Sequence, residues 1–104
     1  MKFKVELLAF NDEVGIFREV EVPDEIVNDE NKSDDDILEA IYHYGQNDIQ
    51  PVPDKYSVSA GDVIYYRDSK YLVSMIGFCE LAPFEYKKYI AVPSWSERRW
   101  IKFK

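Results

Sequence analysis

The sequence predicts a single α+β domain spanning residues 1–104: a strongly curved antiparallel sheet or small open barrel of five to six strands, with one main helix packed on it. Three observations predict it. Short runs alternate apolar and polar residues with period two and are bounded by turn residues. One stretch, residues 34–44, repeats its apolar residues at helical spacing instead. The 104 residues are 46% apolar and 15% aromatic, enough large side chains for one modest core. No internal repeat and no linker composition divides the chain.

Residues 3–10 and 14–22 read as two strands. In the second, Val14, Ile16, Val20 and Val22 share one face, Arg18 is the exception, and Glu19 and Glu21 fall on the other. Asn11-Asp12-Glu13 makes a short polar turn between them, so the pair reads as an antiparallel hairpin, with Gly15 suited to a bulge. Pro23 has no N–H to donate and ends the ladder. Residues 24–36 are acidic and polar and read as an exposed loop. Ser33 or Asp34 caps a helix over 34–44, and the aspartates of its first turn favour the positive end of the helix dipole. Ile37, Leu38, Ile41 and Tyr44 form its apolar stripe, and Gly45 suits the left-handed position that ends a helix.

Residues 46–57 read as irregular, because Pro51 and Pro53 forbid a regular ladder. Ser59-Ala60-Gly61-Asp62 reads as a turn. Residues 63–66 and 71–76 form a second hairpin around 67–70, and residues 78–81 continue as a bent extension after Gly77. Residues 89–92 and 100–103 read as two further short strands.

The net charge is −7 and the sequence pI about 4.6. The chain as a whole is therefore a poor sequence-independent binder of a phosphate backbone. One cysteine, Cys79, excludes an internal disulfide and fits a reducing compartment. The N-terminal seven residues alternate and include Glu6, unlike a signal peptide, and no run approaches a membrane span.

Charge is unevenly spread. Residues 12–39 hold twelve acids against Arg18 and Lys32, whereas residues 85–104 hold six basic residues against Glu85 and Glu97. The acidic stretch, with Asp24, Glu25, Asp29, Glu30, Asp34, Asp35, Asp36 and Glu39, can dock on a basic protein surface or imitate a polyanion. The basic tail carries Arg98, Arg99, Trp95 and Trp100, the residue types that stack on single-stranded bases. For both, the simpler account is a solvated surface over an ordinary core. Gln46, Asn47, Asp48 and Gln50 make a candidate recognition loop, because amides read partners through directional hydrogen bonds. The same side chains also suit the orphan carbonyls of a helix end.

Catalytic and metal patterns are sparse. Asp36, Glu39 and His43 share one helix face and are the residue types that hold a divalent cation, though a solvated Glu–His pair explains them as well. Cys79 with His43 is a conceivable nucleophile–base pair, against an inert buried thiol. Asp34, Asp35 and Asp36 lack the alternating spacing of an EF-hand loop. No Gly-rich phosphate loop, nucleophile elbow or paired-cysteine site occurs. These features favour a non-catalytic protein with no cofactor.

The runs Tyr44-Gly45-Gln46-Asn47-Asp48-Ile49-Gln50-Pro51, Ser57-Val58-Ser59-Ala60-Gly61-Asp62-Val63-Ile64, Tyr71-Leu72-Val73 and Gly77-Phe78-Cys79-Glu80-Leu81 carry a resemblance. Together they resemble small uncharacterised proteins of bacteriophages and other mobile elements. The latter half is also similar to the YodL-like domain. The resemblance covers roughly residues 40–82, and Cys79 stands where a charged or polar residue is expected. It implies a mobile-element protein acting in a bacterial cytoplasm and brings no activity with it. The sequence thus points to a small acidic module that binds a host or phage protein through residues 24–39, with 46–50 as a second contact. An inhibitor of a host defence system is its sharper form.

Overall fold

The computed structural model describes residues 1–46 and 57–103. Its centre is an open five-stranded antiparallel sheet. Strands β1 (Lys2–Glu6), β2 (Phe17–Glu21), β3 (Val63–Tyr66), β4 (Ser69–Ser74) and β5 (Gly77–Leu81) lie in the order β2-β1-β3-β4-β5. The fold is α+β, as expected, but four helical segments accompany the sheet: α1 (Asp24–Val27), α2 (Asp34–Tyr44), α3 (Pro83–Ala91) and α4 (Trp95–Arg98).

The first hairpin forms with Phe3 opposite Val20 and Val5 opposite Arg18. The strands are shorter than the alternation suggests, because residues 7–16 leave the ladder after Leu7 N–H donates to the Ile16 carbonyl. Arg18, the odd residue of its face, is buried there. In the second hairpin, Arg67 and Asp68 both take positive φ (49° and 62°), the geometry of a tight two-residue turn, so β4 starts at Ser69. Residues 77–81 are not an extension of β4. They fold back on it as β5, with Ser74 opposite Gly77. Gly77, at φ 150°, supplies a backbone that other residues rarely take.

Alternation in the strands splits the apolar side chains between two cores. Phe3, Val5, Val20, Ile64, Tyr66 and Val73 point to one face and pack with Val22, Val58 and the Ile37, Leu38 and Ile41 stripe of α2. Val63, Leu81 and Leu8 point to the other and pack with Tyr89 of α3. The sheet is thus covered on both faces. This is where the expected strands at 89–92 and 100–103 fail. Pro83 at the first helical turn and the Glu85 carboxylate, which accepts from Ala82 N–H, start helix α3 across residues 83–91. Tyr86, Tyr89 and Ile90 then meet the core at helical spacing. Residues 101–103 are not in a strand either.

On the opposite face, Ser33 caps α2 in a reciprocal capping box with Asp36. The stretch 24–36, expected as loop, contains the short helix α1. Gly45 does not take the left-handed conformation; its φ is −76°. A Cβ there would sit 2.4 Å from Val58 Cγ2, so the glycine is required for space rather than handedness.

Candidate functional site

The acidic residues of 24–39 lie on α1, on the segment joining it to α2 and on the outer side of α2, whose apolar stripe is turned to the sheet. Asp24, Glu25, Glu30, Asp34, Asp35, Asp36 and Glu39 are exposed and Asp29 is half-buried. Several have work inside the fold. Asp24 accepts from the N-terminal ammonium at 2.6 Å. Asp29 accepts from Asn31 N–H. Asp34 accepts from the Tyr66 hydroxyl and lies 3.6 Å from Arg67. Asp36 accepts from Ser33 N–H, and this bond and the Ser33 hydroxyl hold its carboxyl below the usual value. Among the described residues, Glu25, Glu30, Asp35 and Glu39 make no such contact.

Of the other sequence-derived sites, the metal trio and the Cys79–His43 pair do not assemble among the described residues. Gln46 Nε2 donates to the Tyr42 carbonyl (2.9 Å) and the Val58 carbonyl (3.1 Å), which ties the end of α2 to Val58. Its role is internal. Asn47, Asp48 and Gln50 lie outside the described residues. Among the described residues, no group of three His, Cys, Asp or Glu side chains is placed to hold a metal ion. Asp36 of the candidate trio is turned back onto its own cap. Cys79 packs with the cluster around Tyr89, whereas His43 is on α2 over the other core, so the sheet separates them. Burial and then Glu85 raise the Cys79 thiol above its ordinary value, opposite to what a nucleophile needs.

The basic tail is structural in part: Arg98 and Trp95 serve the fold, whereas Lys87, Lys88, Arg99 and Lys102 are exposed. Arg98 is fully buried. Its Nη1 donates to the carbonyls of Leu8 (3.2 Å) and Asn11 (2.8 Å), and its Nη2 to those of Asp12 (3.3 Å) and Val92 (2.9 Å). Trp95 N–H donates to Asp12 Oδ1, and its ring lies on Gly61, where a Cβ would be 2.3 Å away. Tyr89 donates its hydroxyl to the Gly61 carbonyl at 2.7 Å. Beside Gly61, buried Asp62 accepts from the N–H groups of Leu8, Ala9 and Ser59. Burial outweighs these three donors and pushes its carboxyl up to about 6. A second buried carboxylate, Glu6, accepts from the hydroxyls of Tyr65 and Tyr86 and from Gly15 N–H. Burial raises both tyrosines, which stay protonated donors.

These anchors build a surface that no motif announced. The loop carrying Phe10, the β4–β5 tip and the segment 95–102 surround a depression of about 550 Å³. Across the tip lies a second depression of about 520 Å³, lined by Glu39 and Tyr42 of α2 and by Val73–Phe78. Met75 and Ile76, at the tip between them, are 94% and 99% exposed. Phe10 is 73% and Trp100 69% exposed. In the sequence, the Met75-Ile76 pair before Gly77 was the available signal: two large apolar residues at a position where turns are normally polar.

Comparison with family models, with curated proteins and with solved structures finds no match for this chain. No helix among the described residues is long and apolar enough to cross a membrane.

Proposed function

We propose that this chain is a non-catalytic binding module for a host or phage protein, working in the bacterial cytoplasm as a bacteriophage or mobile-element product. The observation that carries the reading is the β4–β5 tip. Met75 and Ile76 project almost wholly into solvent beside Glu39 and Tyr42 of α2. Exposed apolar groups of this size cost free energy in water unless a partner covers them. Glu39 joins the tip to the acidic outer side of α1 and α2, so the matching surface is an apolar recess with a basic rim. Acidic steering speeds such an encounter, and the apolar tip holds it. In its sharper form the partner is a host defence nuclease, with the acidic helices occupying a groove built for a nucleic-acid backbone.

Affinity purification from host or infected cells, with this chain as bait, identifies the partner by mass spectrometry. Replacing Ile76 by Ser, and separately Asp35 and Glu39 by Lys, is expected to weaken that complex at least tenfold each while leaving the melting temperature within a few degrees. Binding that does not weaken between low and high salt would sink the electrostatic part of the reading.

A further inference from the structure

Around the first depression, on the far side of the tip from α2, the geometry points to a second binding groove, one that takes an acidic, apolar peptide segment. Its walls are Phe10, Met75, Trp95 and Trp100, with Leu72 and Ile101 deeper. The volume of about 550 Å³ suits a few side chains of a bound segment. Three cations line the same groove: Arg98, Arg99 and Lys102. Arg98 is buried, its Nη groups are held by four carbonyls, its Nε has no hydrogen-bond partner, and no carboxylate among the described residues pairs with it. Carbonyl dipoles and the Tyr89 ring, 5.9 Å away, hold the buried guanidinium, so the groove's solvent-facing positive charge is that of exposed Arg99 and Lys102, on a molecule whose net charge is −7. Arg99 is exposed, stacked on the Trp100 ring at 4.8 Å.

Phe10 adds an independent sign. Its φ is 63°, a conformation that costs a bulky residue roughly 1–3 kcal/mol, and the ring is 73% exposed with Trp95 at 5.7 Å. Little burial offsets that cost in the free chain. A segment laid between Phe10, Trp95 and Trp100 supplies it.

Aromatic rings with cations also suit single-stranded nucleic acid. A peptide is favoured for two physical reasons. The groove is chiefly apolar, and its cations all come from one segment, residues 98–102. The acidic helices repel an extended polyanion, whereas a short segment bearing one or two carboxylates meets mainly Arg99 and Lys102.

The two tryptophans of the chain, Trp95 and Trp100, both line the groove, so intrinsic fluorescence reads its occupancy directly. The probe is an acetylated pentapeptide of one phenylalanine, two leucines and two glutamates. A second peptide has lysines for the glutamates, and an oligothymidylate serves as the nucleic-acid arm. The acidic peptide is expected to shift the emission and saturate, and the lysine peptide to bind at least tenfold more weakly. Arg99→Glu with Lys102→Glu should lose at least tenfold in affinity for the acidic peptide. Both side chains are exposed, and an unchanged circular dichroism spectrum and melting temperature show that the variant folds. Equal binding of the two peptides, no saturable binding, or undiminished binding by the variant overturns the proposal. Saturation by the oligothymidylate without the peptide assigns the groove to nucleic acid instead. Sedimentation showing a dimer that Trp100→Ala abolishes assigns it to a second copy. Met75 borders both surfaces, but Ile76 and the acidic helices do not line this groove and the variants tested here leave Met75 intact, so failure here leaves the tip-and-acid reading standing, and the reverse.

Discussion

Asp62 shows how one side chain can hold two distant segments. Its oxygens accept from Leu8, Ala9 and Ser59, joining the loop after β1 to the start of β3. Removing the acceptor leaves three backbone donors unsatisfied at about 1–3 kcal/mol each. Asp62→Ala is therefore expected to lower unfolding free energy in urea by at least about 3 kcal/mol. The carboxyl also sets a pH dependence. Its folded value of about 6 is above the unfolded 3.8, so the folded state binds the proton more tightly. The resulting stabilisation is complete below about pH 4 and is lost as pH rises through 6. Melting temperature should then rise on going from pH 7.5 to 5.5 by more in the native chain than in Asp62→Asn. Parallel profiles would show that Asp62 does not titrate there. Ser59-Ala60-Gly61-Asp62 was legible in the sequence as a turn. The bonds were not, since Leu8 and Ala9 lie more than fifty positions away.

At the scale of the element, α2 followed directly from local rules. Its bounds are Asp34–Tyr44, with Ser33 as cap and Ile37, Leu38 and Ile41 buried, as spacing and capping chemistry require. Ser33→Ala is expected to cost about 1 kcal/mol by thermal or chemical denaturation. A loss under a few tenths would mean that Asp36 alone sustains the first turn. Helix α3 was not legible in the same way. Tyr89-Ile90-Ala91-Val92 has a strand-like composition, and α3 carries a weak helical stripe with one fully buried residue, Tyr89. Packing of Tyr86, Tyr89 and Ile90 on the sheet overrides that propensity. Gly45 teaches a similar lesson. Its position at the helix end was readable, but its reason is Val58, thirteen residues on, and not its own backbone angle.

Over the whole molecule, Arg98 closes the structure by joining the loop after β1 to the end of α3. Arg98→Met keeps much of the volume and deletes every donor. It is expected to cost at least about 3 kcal/mol, because four carbonyls lose a charged donor, and to raise amide exchange in residues 8–12 and 92–98. Loss of exchange protection confined to the tail would show that Arg98 does not hold the β1 loop. The charge division read from the sequence takes on a different meaning at this scale. The acidic half forms a surface, with Glu25, Glu30, Asp35 and Glu39 left to solvent. The basic half is partly consumed inside, where Arg98 serves the fold and Arg99 and Lys102 edge a groove.

Periodicity and capping are local properties, so the α+β class, both hairpins and α2 could be read from the chain alone. The acidic face could be read too, since charges on exposed helices stay exposed. The apolar tip beside Glu39 and the groove between Phe10 and Trp100 depend on which distant segments meet. Phe10, Met75, Trp95 and Trp100 become neighbours only when Asp62 and Arg98 fasten the loop after β1 to the sheet and the tail, and no local pattern encodes that encounter.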